Sequence, residues 1–166
     1  VLRWVAHPEQ GCSELILVSW DRHLLLAKAA GALAANGINI LSADLFLRAD
    51  GLVIDLFRVC TTGLTPVTSE KTIGSVNELL ARACMGEEID FASLIQRPRR
   101  DSPEPLPAWH DDFPVFAGVY NEPKRDYTLV DIQTVDRIGL LYAVFNAIGS
   151  LGHEITHARI NTEKGA

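Results

Sequence analysis

The sequence predicts an α+β fold in two related units, and three observations carry that prediction. Asp136-Arg137-Ile138-Gly139-Leu140-Leu141 stands 115 residues after Asp21-Arg22-His23-Leu24-Leu25-Leu26, and each stretch joins an apolar strand to an amphipathic helix. Each helix is closed by a glycine, Gly37 or Gly152, and followed by a further strand. The first copy runs strand, helix, strand, strand, helix; with a closing strand it becomes the ferredoxin-like βαββαβ sandwich, two helices on one face of an antiparallel sheet.

Taken in order, residues 1–14 mix Trp4, His7, Pro8 and Gly11 and are expected to be a lead-in rather than an element. Glu14 to Trp20 is a nearly continuous apolar run, as a strand buried on both faces would be. Leu26, Ala29, Ala30 and Leu33 fall at helical spacing between Leu24 and Asn36, and Gly37 sits where a left-handed cap would end the helix. Asn39 to Arg48 alternates, with Leu41, Ala43, Leu45 and Leu47 on one face. Asp50-Gly51 is a hairpin signal, and Leu52 to Cys60 is the returning strand. Thr68 or Ser69 can cap a second helix carrying Ile73, Val76, Leu79, Leu80 and Ala83, stopped by Gly86.

Five of the eight prolines then fall between Pro98 and Pro114, beside Arg97, Arg99 and Arg100. Proline lacks an amide proton and fixes φ, so residues 96–114 are expected to be an extended, exposed connector. Val115 to Tyr120 is expected to complete the first unit, which spans 15–121. The second unit, 127–166, opens with the strand Tyr127–Val135. Its helix carries Leu141, Val144, Phe145, Ile148 and Leu151, and a strand with Ile155, Ala158 and Ile160 follows. The second copy holds only a first strand, a helix and a second strand. In a ferredoxin-like sheet the third strand lies between those two, so the expectation is that the polypeptide continues past Ala166 or that another chain donates the missing strand.

Composition narrows the function. At 166 residues with 48% hydrophobic and 22% charged side chains, the chain can bury a core as one large or two small domains. A net charge of −6 argues against nucleic acid or an anionic membrane as partner. Cys12, Cys60 and Cys84 are odd in number and unpatterned, which reads as reduced thiols in a cytoplasmic protein; no apolar run is long enough to span a membrane, and no signal peptide opens the chain.

His153-Glu154-Ile155-Thr156-His157 matches the zinc-protease signature HExxH. That motif needs a helix, which sets positions i and i+4 about 6 Å apart on one face. Here Gly152 ends the helix first, and in a strand the two histidines would stand about 13 Å apart. The zinc reading is therefore rejected. No GxSxG, P-loop or GxGxxG is present, and nothing sequence-local activates the cysteines, so this stretch is read as non-catalytic and without a metal or cofactor.

The repeat resembles the ACT domain, a small-molecule sensing module. The residues that carry the resemblance are Asp136-Arg137-Ile138-Gly139-Leu140-Leu141, Gly37-Ile38-Asn39-Ile40, Asp50-Gly51 and Asp55-Leu56-Phe57. With Ser42-Ala43, the Arg/Pro-rich connector and Asn121-Glu122, nearly the whole chain resembles the paired ACT domains at the C-terminus of the bifunctional PII uridylyltransferase/uridylyl-removing family. The resemblance implies a sensor of glutamine within an enzyme that acts on a PII signal protein, with the catalytic centres elsewhere. A separate ACT-repeat binding protein with no catalytic parent is the alternative, and a longer reading frame upstream would distinguish the two.

The resemblance further implies a pocket that combines the loop of one ACT domain with the second-strand opening of its neighbour. Its residues here are Asp136, Arg137, Gly139, Leu140 and Leu141 from the loop, and Asn39 and Ile40 from the strand. Physical chemistry supports the choice. Free amides at a helix start suit a carboxylate, a glycine lets the ligand approach, and an asparagine both donates and accepts. The first copy has Leu24 where the second has Gly139, and the second has Glu154 where the first has Asn39. One competent amino-acid pocket per pair of repeats is therefore expected, not two.

Overall fold

The computed structural model describes residues 1–96, 115–121 and 126–160. Residues 97–114, where the connector is expected, residues 122–125 and residues 161–166 lie outside the described residues. The chain divides into a larger unit, Val1–Ser102 with Ile138–Ala166, and a smaller one, Pro103–Arg137. No helix among the described residues is long and apolar enough to cross a membrane.

The larger unit holds β1 (Leu2–His7), β2 (Cys12–Trp20), α1 (Leu25–Ala35), β3 (Asn39–Leu47), β4 (Leu52–Cys60), α2 (Glu70–Cys84), α3 (Phe91–Gln96) and α4 (Leu140–Ser150). Its antiparallel sheet runs β1-β2-β4-β3. As expected of the βαββ plan, β4 lies between β2 and β3 and pairs with both. The fold is α+β, and Leu15, Leu17, Ala43, Leu45, Phe57 and Val59 point into one core. Two strand readings are corrected: β2 buries one face rather than both, with Trp20 exposed, and an irregularity between Ile40 and Ser42 turns Ile40 rather than Leu41 inward, while Leu47 is exposed. Ser69 caps α2 by accepting a hydrogen bond from the Thr72 amide at 3.3 Å.

Two further strands differ from the sequence reading. Residues 1–14 are not a lead-in, because Leu2–His7 forms β1 and pairs along its whole length with β2. Val115–Tyr120 does not close the first sheet; the strand Phe116–Asn121 (β5) pairs instead with Thr128–Gln133 (β6) in the smaller unit. The edge place beside β2 is thus filled from the N-terminal side. A one-turn 3₁₀ segment, Pro8–Gln10, ended by Gly11 at φ 65°, closes that hairpin locally, which costs less chain entropy than a long return.

The repeat is therefore longer than its sequence signal. Leu2 pairs with Leu17, and Ala117 pairs with Ile132; each partner stands 115 residues beyond its counterpart. The helix ends repeat in the same detail. Ile38 N donates to Leu33 O as His153 N donates to Ile148 O, and Lys28 N donates to Leu24 O as Ala143 N donates to Gly139 O. The strand expected after α4 is only a trace among the described residues: Arg159 makes a single antiparallel bridge to Asp44. In the first copy β3 is held by its ladder with β4, and the second copy shows no such neighbour among the described residues.

Helix α1 occupies the middle of the larger unit. Leu25, Ala27, Ala29, Ala30, Ala32, Leu33 and Ala34 are all buried, and α2, α3, α4 and β3 pack around them. Helix α3, which the sequence reading did not anticipate, inserts Phe91 here, 2% exposed. A Cβ built on Gly31 would stand 2.6 Å from the Phe91 ring, and the ring lies 6.0 Å from that of Tyr142 on α4. Gly31→Ala gains about 1 kcal/mol of helix propensity but meets a buried ring that cannot withdraw, an overpacking cost of about 1–3 kcal/mol. Chemical denaturation should show Gly31→Ala destabilised in the parent chain and neutral or stabilised in a Phe91→Ala background. Equal effects in both would separate Gly31 from Phe91.

Candidate functional site

In both copies the helix starts from a left-handed residue. Gly139 has φ 87° ahead of α4, and Leu24 has φ 60° ahead of α1. Only glycine adopts this conformation without cost; a branched side chain there is strained by roughly 1–2 kcal/mol. Leu24 keeps the turn because its side chain is packed, its Cδ2 lying 2.2 Å from where a Cβ on Gly149 would stand.

The expected pocket residues fall into three groups. Gly139, Leu140 and Leu141 form the start of α4, with Leu141 partly buried against the core. Asn39 and Ile40 open β3, where Asn39 Oδ1 accepts a hydrogen bond from the Ile40 amide at 3.1 Å and Ile40 is buried. A bulge follows between Ile40 and Ser42. Asp136 and Arg137 belong to the smaller unit. Within 4 Å of a Cβ built on Gly139, the described atoms beyond its chain neighbours are those of Ile95, the nearer at 3.1 Å. Helix α3 therefore walls the glycine loop, a neighbour the sequence did not reveal.

Helix α4 ends at Ser150, and His153–His157 is not helical, so the HExxH letters do not form a metal-binding face. Among the described residues no group of three His, Cys, Asp or Glu side chains is placed to hold a metal.

A second location was missed. A cavity of about 50 Å³ lies among Asp21, Leu25, Leu26, Leu45, Phe46, Leu47, Val53, Asp55, Ile155 and Thr156. It joins the loop of the first copy to the segment after α4, and Leu24 and Glu154, the pair expected to disfavour an amino acid, are not among its described lining residues. Asp55 is 3% exposed, at an inward position of β4 between Val53 and Phe57 and opposite Leu17 and Leu45. Its signal was present in the sequence, as a lone carboxylate on the buried alternation of Leu52–Cys60.

Burial, and after it the charge of Asp21, push the Asp55 carboxyl from the ordinary 3.8 up to about 7. The folded protein thus holds a proton here that the unfolded chain has released. This group's contribution favours folding most at low pH and is lost as pH rises from about 4 to about 7. The full effect is worth up to ~4 kcal/mol. Denaturation of Asp55→Asn beside the parent should give similar stabilities near pH 4. By pH 8 the variant should be the more stable by a few kcal/mol, and a difference independent of pH would show that Asp55 is not held protonated.

No protein-family model matches the chain, and no solved structure matches it. Curated proteins do. A bifunctional uridylyltransferase/uridylyl-removing enzyme of Rhodospirillum rubrum is 30% identical over 157 residues, covering 93% of this chain and 16% of the relative. The enzyme of the same name from Gluconobacter oxydans is 29% identical over 160 residues, again 93% and 16%. That from Azospirillum brasilense is 26% identical over 151 residues, 90% and 16%. The chain thus spans about one sixth of the length of these relatives. With its duplicated α+β plan, it is homologous over nine-tenths of its length to a segment of the bifunctional uridylyltransferase/uridylyl-removing enzymes.

Proposed function

We propose that the chain is a tandem ACT module that senses an amino acid, glutamine first, for a uridylyltransferase/uridylyl-removing enzyme acting on a PII signal protein. The observation that carries this reading is the duplicated unit itself. Matching helix-start and helix-end hydrogen bonds recur 115 residues apart, within a chain homologous to one sixth of such enzymes. A repeat with a glycine loop at one helix start and, among the described residues, no convergent catalytic group suits a binding module better than a reaction centre.

The amino-acid site is the turn at Gly139 with Leu140 and Leu141, completed by Asn39 and Ile40. The first amides of a helix have no partner within it and carry partial positive charge, which suits the ligand's carboxylate. Gly139 carries no side chain into the approach and has Ile95 as a wall, and Asn39 brings an amide that both donates and accepts. In the other copy the same turn carries Leu24, whose side chain packs on Gly149.

The test is thermal unfolding of the full-length protein with each of the twenty amino acids at millimolar concentration. Glutamine at ten times its Kd should stabilise by about 1.4 kcal/mol. Gly139→Leu and Asn39→Ala should abolish that shift. Leu24→Ala should lower the starting stability, because Leu24 is packed on Gly149, yet leave the ligand-induced shift unchanged. Calorimetry should give one amino-acid site per chain. No response to any amino acid, or two equivalent sites, would overturn this reading.

A further inference from the structure

We propose that the cavity between the start of α1, strands β3 and β4, and Ile155-Thr156 binds a small alkylammonium ion, held by the carboxylates of Asp55 and Asp21. This goes beyond the amino-acid reading: it concerns a different pocket and a ligand with no carboxylate.

The argument starts from Asp55. It is 97% buried, lines the cavity, and among the described residues receives no hydrogen bond and makes no ion pair. A buried carboxylate in that state is costly, and proteins normally give it a partner. Asp21, exposed on the loop before α1, brings a second carboxylate to the same wall, and among the described residues no lysine, arginine or histidine lines it. Once Asp55 ionises, two acids face a pocket that lacks a counter-charge among the described residues, which calls for a cation.

The remaining wall decides which cation. Leu25, Leu26, Leu45, Val53 and Ile155 are apolar, and Thr156 adds one hydroxyl. A divalent metal needs six or more oxygen ligands, which two carboxylates and a hydroxyl do not supply. An ammonium group with a short carbon tail satisfies both parts of the wall, its N–H groups donating to the acids and its carbons lying on the leucines. The volume, about 50 Å³, is several times the roughly 10–15 Å³ a single water requires, so there is room for a head and a tail of a few heavy atoms. An amino acid fits badly, since its carboxylate would face Asp21 and Asp55.

Ionisation gives the site a pH dependence. Among the described residues that line the cavity, Asp21 is the other ionisable group, and those contributed by α1, β3, β4 and Ile155-Thr156 are otherwise non-ionisable apart from Asp55 itself. Binding should therefore strengthen between pH 6 and 8.5, as the Asp55 proton leaves.

The test is calorimetry and thermal unfolding of the full-length protein at pH 8.5 with n-propylammonium chloride. Tetramethylammonium, potassium and sodium chloride at equal ionic strength are the controls. Propylammonium should bind and stabilise. Tetramethylammonium, which has no N–H donor, should match the sodium control. Asp55→Asn preserves shape and should fold at least as well at this pH, with affinity for propylammonium reduced at least ~tenfold. Should that variant fail to fold, Asp21→Asn at the exposed loop gives the same reading, and unchanged affinity there overturns the proposal. Equal stabilisation by all the salts, or binding retained in Asp55→Asn, also overturns it. Glutamine binding without propylammonium binding refutes this site alone; the reverse refutes only the amino-acid reading.

Discussion

Everything in the larger unit is arranged around the crowding of α1. A helix with one apolar stripe packs on one surface, whereas α1 is apolar nearly all round and contacts β3, α2, α3 and α4. Its alanines and Gly31 make this possible, because small side chains let several elements approach one helix. Phe91 lies on Gly31 and Leu24 reaches Gly149. Through such contacts the helix of the second copy enters the core of the first: Phe145 on α4 is buried in the same cluster as Leu15, Phe57 and Val76. The two copies are thus one packing problem, solved by keeping the shared helix thin.

Duplication fixed the backbone and released the side chains. Hairpin register and helix-cap bonds recur at one offset, because each is set by local chain geometry that any suitable sequence can reproduce. The pockets are not held in that way. One helix start keeps its glycine, while the other pays backbone strain for a leucine that packs on the partner helix. Beside that leucine-filled start, a carboxylate on β4 was drawn into the core and left without a protein partner among the described residues.

The strands from Cys12 to Cys60, the two long helices of the first copy and α4 were legible in the sequence, since each combines a clear period with a cap or turn residue, such as Ser69 or Gly37. Strand β1 was not. Its Arg3, Trp4 and His7 mask the alternation, and an edge strand buries too little to impose one. Helix α3 is only six residues long, below the length at which periodicity speaks, and it exists because Phe91 has a place on Gly31.

By itself the sequence determined the α+β class, the duplication, the hairpin at Asp50-Gly51, and the rejection of HExxH as a helical motif, because local chain stiffness and the periods of 2 and 3.6 residues decide these. The loop glycine and Asn39 could be proposed as site residues from the sequence and the resemblance it carries. Only the tertiary structure decided that Ile95 stands against Gly139, that the N-terminal strand takes the sheet edge, and that Asp21 and Asp55 line one cavity with Ile155 and Thr156. Those outcomes depend on which distant surfaces meet. Burial against a partner far along the chain leaves no period in the sequence by which it could be foreseen.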